Sequence, residues 1–302
     1  MAKTPAPFAI TLPATSANLG PAFDSAAIAV RLHLRLKATA AEEYSIQASG
    51  RDAEICGQLE PNLILDTYRD VLESYGHEPR PLALAIQNNM PIGKGTGSSA
   101  AARLAGVAMA VHFGGLKWPD CRVMGEAARR ERHVDNVAAC WLGGVAVVYP
   151  DGAMRLRARV RWPLLLAVTR ETLSTEDSRA VLPACYPRAD AVANVQRAML
   201  LTAALVDGRS DLLRHGLRDH LHEPYRGELC PLLAPLQALA GRAGILGAAL
   251  SGAGPSVLMF LDPAVDAEKT VRRVLAALRE AGLAAELILT QMEGRGACNR
   301  RS

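Results

Sequence analysis

The residues best suited to chemistry are gathered in one stretch, PIGKGTGSSAA: Pro91, Ile92, Gly93, Lys94, Gly95, Thr96, Gly97, Ser98, Ser99, Ala100 and Ala101. Its three glycines carry no Cβ, so the backbone can take positive φ and turn several N–H groups onto one anion. Ser98 and Ser99 follow where a helical pattern begins, so free amides and the positive end of a helix dipole face the same point. The chemistry this suits is phosphate binding. A Walker A loop needs Ser or Thr directly after its Lys, and here Gly95 follows Lys94. The dinucleotide and protein-kinase fingerprints need a third glycine one residue beyond Gly97. Spacing excludes those cradles and leaves a plain tight turn as the competing reading.

Other polar candidates lie in four segments. PATSANLGPAFD carries Asn18 and Asp24, which either face a ligand or cap their own turn. HVDN supplies His133, Asp135 and Asn136, suited to substrate or metal-bound phosphate, although Asp-Asn also favours turns. STEDSRAVLP holds Arg179 and HEPYR holds Arg226. Arginine matches a carboxylate bidentately, yet most arginines are surface charges. GEAARRERH, with Glu126 and Glu131, reads as a solvated helical face, and His33 as a solvated residue on the polar side of a strand.

The elements that must position these groups follow from periodicity. Ile28, Val30, Leu32, Leu34 and Leu36 alternate with polar residues and predict a half-buried strand. A shorter strand is expected around 44–48, and another at Leu82, Leu84 and Ile86 feeds the glycine loop. Helical patterns cover 61–76, 119–132, 189–206 and 267–281, with strands at 154–160, 163–168 and 284–289. The segment from His133 to Pro150 reads as a polar loop entering a Gly-Gly turn and a buried strand. A second glycine loop, with Gly252, Gly254 and Pro255, suggests close backbone approach. The tail to Ser302 is expected to be disordered.

Composition bounds the function. A chain of 302 residues, 50% hydrophobic and 21% charged, can bury one large or two ordinary cores. Net charge is only +4, with basic residues scattered among acidic ones instead of forming a block, and aromatics are 4%, which argues against nucleic acid as the partner. Six cysteines without CxxC pairing or His at zinc spacing read as free thiols. No apolar run reaches transmembrane length and the N-terminus lacks a signal-type apolar stretch, so a soluble, cytoplasmic protein is expected.

PATSANLGPAFD, PIGKGTGSSAA, HVDNVAACWLGG and GAALSGAGPSV, in this order, resemble the motifs of the GHMP small-molecule kinase family. STEDSRAVLP and HEPYR are similar to elements of its branch acting on L-homoserine. The resemblance implies an α+β fold of two domains, a ribosomal-protein-like βα domain at 1–160 and a ferredoxin-like domain at 161–302, with the site in the cleft between them. It implies ATP and Mg²⁺ as cofactors and phosphorylation of the homoserine side-chain hydroxyl to O-phospho-L-homoserine for threonine biosynthesis, by a homodimer. The alternatives are a GHMP kinase for another hydroxy acid, such as mevalonate or shikimate, or a silent ATP and metabolite sensor.

Carried onto this chain, the resemblance gives Pro91 to Ala101 to the ATP phosphates and Asn62 to the adenine pocket. Asn18, Asp24, His133, Asp135 and Asn136 would hold the amino and hydroxyl end of the substrate, and Arg179 and Arg226 its carboxylate. Ser98 and Glu126 would hold Mg²⁺, with Glu131 the competitor. Lys94 would add positive field, and Asp24 would be the candidate general base or the partner of the substrate ammonium.

Overall fold

The polar loop Asn18–Asp24 is held between two antiparallel strands, β1 (Phe8–Ala17) and β2 (Ala26–Ala40), in a computed structural model that describes residues 5–299 and 301. Pro13 has no N–H to give the ladder, and the register shifts between Pro13 and Ala14. β2 is long enough to take different partners along its other edge. Its last residues pair with β4 (Leu82–Asn88) and its first three with β5 (Val145–Tyr149). β3 (Ser45–Gly50) adds parallel to β4, and β6 (Gly152–Leu156) closes the other side, giving the order β3-β4-β2-β5-β6.

Five helices belong to this half: α1 (Ala53–Cys56), α2 (Leu63–Ser74), α3 (Ser98–Phe113), α4 (Asp120–Glu131) and α5 (Val134–Leu142). α3 is apolar on nearly every side, as a helix in the middle of a core must be. Gly106 allows its closest approach to α2, since a Cβ there would lie 2.6 Å from Ile64 O.

The second sheet contains β7 (Pro163–Val168), β8 (Ile245–Leu250), β9 (Val257–Leu261) and β10 (Glu286–Gln291), all antiparallel in the order β10-β7-β9-β8. Counted within the sheet this is 4-1-3-2, the ferredoxin-like order. Between β7 and β8 run α6 (Thr175–Ala180), α7 (Arg188–Asp207), α8 (Ser210–Gly216), α9 (Glu223–Arg226) and α10 (Leu233–Gln237). α11 (Ala267–Glu280) follows β9 and buries Val274 and Leu278.

Three expectations are corrected. The residues after His133 are helical: α5 starts at Val134 and buries Val137, Ala138, Ala139, Cys140 and Trp141 before Gly143 ends it. Asp135 and Asn136 in its first turn are residue types that favour turns, and the short apolar run behind them has no period of its own to announce a helix. The tail is not disordered where it is described. Glu293 N–H donates to Ala29 O, Gly144 N–H donates to Glu293 O, and Ala297 is buried. Residues 1–4, Arg300 and Ser302 lie outside the described residues. His33 is not solvated either, because this tail covers it: its side chain is 12% exposed and Nε2 lies 3.1 Å from Glu293 Oε2.

Candidate active site

The first sheet, with loops and helices from both halves of the chain, walls one cavity of about 480 Å³. At one end lies the loop from β4 to α3. Gly93, Gly95 and Gly97 all have positive φ (69°, 73° and 65°), and Gly97 directly precedes α3. Thr96 ties the loop down, its hydroxyl donating to Pro91 O at 2.5 Å and its carbonyl accepting from Thr15 N–H at 2.9 Å. The backbone N–H groups from Gly95 to Ala100 meet no acceptor among the described residues. Donors left uncommitted at a helix N-terminus are what a phosphate requires.

The second glycine loop, between β8 and β9, presses on the first. Ser251 Oγ donates to Gly95 O at 2.7 Å, and a Cβ at Gly95 would sit 2.1 Å from Ser251 O. Asn18 braces the same loop from β1, donating through Nδ2 to Gly252 O at 2.8 Å while its Oδ1 takes Asp24 N–H at 3.0 Å. Asn18 is thus a strut whose amide is already occupied.

Beside the glycine loop the cavity continues as an apolar slot with Ile55, Leu63, Ile64, Ile86, Met90 and Ile92. Asn62 stands at its rim as the N-cap of α2, accepting from Ile64 and Leu65 N–H and donating to Gln58 O at 2.8 Å. Its side chain builds the wall.

At the other end the cavity meets Asp24, His133, Asp135, Asn136, Arg179 and Arg226. Asp135 is 2% exposed; its Oδ1 accepts Asn136 N–H at 2.7 Å, whereas its Oδ2 has no partner. Burial lifts this carboxyl to about 6, and neighbouring Asp24 adds to the rise. Asn136 accepts from Thr15 Oγ1 at 2.6 Å, which orients its amide. Arg179 grips both oxygens of Asp24. Arg226 is 1% exposed, donates to Ser178 O at 3.0 Å and lies over the Phe23 ring, 5.1 Å from its centre. An arginine so deeply buried needs an anion, and the arginine pair faces the cavity.

Two expected residues are placed elsewhere. Glu126 turns its carboxylate to Arg129 and Arg130 of its own helix and does not line the cavity. These guanidinium groups hold it below the usual glutamate range against the opposing effect of burial. Glu131, five residues on, lines the cavity instead: Oε1 accepts from Ser99 Oγ at 2.6 Å and Oε2 from Arg103 at 3.0 Å. Lys94 sends its ammonium to the carbonyls of Arg170 and Glu171 and lines no part of the cavity. Pro91, Ala100 and Ala101 shape the loop from behind, the two alanines wholly buried.

Residue-type reasoning missed Thr15 and His222. His222 is fully buried, donates from Nε2 to Gly20 O at 2.8 Å, accepts from Arg226 at Nδ1 and stacks on Phe23. Its position four residues before Arg226 was the available signal. Glu223 beside it accepts from Leu250 N–H and Gln237, and burial lifts it to about 8.

Uncommitted amides for phosphate at one end of a cavity, and carboxylates with guanidinium groups at the other, define a small-molecule phosphotransferase site. Family models agree: the GHMP kinases N terminal domain matches residues 62–144 and the GHMP kinases C terminal domain residues 201–282. The chain has the two-domain GHMP kinase fold. A homoserine kinase from Solibacter usitatus is 43% identical, with 84% of this chain and 85% of the relative covered. One from Deinococcus radiodurans is 39% identical, with 87% of each covered. The chain belongs to the homoserine kinases. The crystal structure of homoserine kinase from Cytophaga hutchinsonii matches the fold with a TM-score of 0.82 at 24% identity, over 100% of this chain and 98% of that one. Among the described residues no helix is long and apolar enough to cross a membrane.

Proposed function

We infer that this protein transfers the γ-phosphoryl group of ATP to the side-chain hydroxyl of L-homoserine, giving O-phospho-L-homoserine. The observation that carries this is a single cavity joining the free amides of Gly95–Ser99 to the group of Asp24, Asp135, Arg179 and Arg226. A zwitterionic amino acid needs both signs of charge, and its hydroxyl must then reach the phosphate end. Asp24 and the open oxygen of Asp135 take the ammonium and orient the hydroxyl; Arg179 and Arg226 take the carboxylate. The apolar slot beyond the glycine loop takes adenine, with Asn62 at its wall.

Phosphoryl transfer of this kind needs alignment and charge neutralisation more than covalent help. The glycine-loop amides and the α3 dipole supply part of that charge. Ser98 and Glu131 are oxygen donors on the cavity wall and fit Mg²⁺, which keeps several waters and needs few protein ligands. Mg²⁺ would neutralise phosphate oxygens there. The reading of Glu126 gives way to Glu131, whose carboxylate faces the cavity. Asp24, already paired with Arg179, serves as a charge partner and not as a dedicated base.

Cytoplasmic residence fits six free thiols. For a homodimer, the candidate face is the stripe of Val192, Val195, Met199 and Val206 on α7, exposed by 50%, 59%, 69% and 42%.

The test is ADP release by purified protein with Mg-ATP and a panel of homoserine, mevalonate, shikimate, serine and threonine, with product identified by mass. Phosphohomoserine from homoserine alone is expected. Preference for another alcohol would keep the phosphotransferase site and overturn the substrate, and ATP binding without turnover would make the protein a sensor.

A further inference from the structure

Between Met154 and Trp162 the chain reads MRLRARVRW, with arginine at every second position from Arg155 to Arg161 and no acidic residue among them. β6 ends at Leu156 and the chain then crosses to β7. Leu156, Ala158, Val160 and Trp162 pack against the core, which leaves the arginines exposed.

Arg155, Arg157 and Arg161, with Gly144, Ala158 and Met292, enclose a second cavity of about 480 Å³ that shares no lining residue with the active site. Two of these side chains rest against bare backbone. A Cβ at Gly144 would lie 2.9 Å from Arg155 Nε, and one at Gly294 would lie 2.9 Å from Arg161 Nη2. Among the described residues no carboxylate pairs with any of the three guanidinium groups. The acid closest along the tail, Glu293, is engaged by His33, Arg31 and the N–H of Arg295.

Three like charges around one concavity repel one another, and an anion relieves that repulsion. A guanidinium fork matches phosphate oxygens in pairs, and three forks exceed what one carboxylate can use. The volume lies in the range of small-molecule pockets, roughly 300–1,000 Å³, and the site is concave, so a compact ligand fits it better than a polymer or a lipid surface. We propose that this cavity is a second ligand site, for a small phosphorylated molecule carrying at least two negative charges. Such a ligand would join the β6–β7 crossover to the C-terminal tail at Met292–Gly294.

Inorganic pyrophosphate is the probe, titrated by calorimetry at low salt into protein kept saturated with ADP so that the glycine loop is filled. Wild type is expected to take up one further equivalent, with an affinity that falls as salt rises. The triple variant Arg155→Gln, Arg157→Gln, Arg161→Gln should lose roughly tenfold or more in affinity, and Arg157→Gln alone roughly threefold. Homoserine-dependent turnover by the single variant shows that the fold is intact. A parallel titration with glycerol 3-phosphate tells a phosphomonoester from a diphosphate, and saturable uptake of either agrees with the proposal. No uptake of either by ADP-saturated wild type, or equal uptake by the triple variant, overturns it. Equal affinity for malonate overturns the assignment to phosphate.

Discussion

One nitrogen of Arg179 donates to both carboxylate oxygens of Asp24, at 2.9 and 3.0 Å, so α6 is joined to the loop between β1 and β2 across the mouth of the site. Both side chains are nearly half exposed, and such a pair adds little stability of its own. Its geometry matters more. A bound zwitterion would place its ammonium on Asp24 and its carboxylate on Arg179, exchanging one internal ion pair for two to the substrate.

Asp24→Asn is therefore expected to raise the homoserine KM by roughly 10–100-fold while the ATP KM stays near wild type. Steady-state kinetics with each substrate varied in turn check this. A fall in kcat beyond roughly 10³-fold at unchanged KM would instead make Asp24 a general base.

Glu131 and Glu126 separate by their surroundings. Glu131→Gln should shift the Mg²⁺ dependence of turnover to higher metal concentration and lower kcat by roughly 10²-fold, since a charged oxygen leaves the phosphate end. Glu126→Gln should leave the Mg²⁺ dependence alone and lower the melting temperature, because two guanidinium groups lose their shared partner. Magnesium titrations of both variants, with thermal melts, decide between the two residues.

The Asp135 carboxyl, lifted to about 6 by burial, must be ionised for its open oxygen to accept from the substrate ammonium. The ionised fraction falls as pH drops through that value, so kcat/KM for homoserine should decline below about pH 6. His133 is raised above its ordinary value chiefly by its hydrogen bond to Glu131, so any limb it contributes lies at higher pH. Asp135→Asn should lower kcat/KM and remove the acid limb. An acid limb that survives in this variant would assign it to another group.

Gly95→Ala tests the contact between the two glycine loops. Positive φ and a Cβ 2.1 Å from Ser251 O both oppose it, so the loops must separate. ATP affinity should drop roughly tenfold or more, with homoserine affinity less affected. Equilibrium binding of each ligand provides the comparison.

The glycine loop and the β2 alternation were readable from sequence because each rests on local physics: a conformation only glycine adopts freely, and a period of two. α5 escaped because its turn-favouring Asp135 and Asn136 precede an apolar run too short to show a period, and the tail because the partners that order it, Ala29 and Gly144, are remote. Glu131 was ambiguous for a related reason. Two glutamates on one helix differ only in whether their neighbours are the helix's own arginines or Ser99 of α3. His222 and Thr15 act through backbone and side-chain partners in other elements, which residue type alone does not disclose.

The return of Glu293 to Ala29 and Gly144 also bears on how the protein is made. Translation runs from the N-terminus, so β1 to β6 can assemble while later residues are still being added, but His33 waits 260 positions for Glu293. Until then the first sheet carries an unclosed seam along β2, through which a nascent chain can mispair. A chain cut back at Gln291 would keep every strand and helix introduced above and yet hold that immature seam permanently.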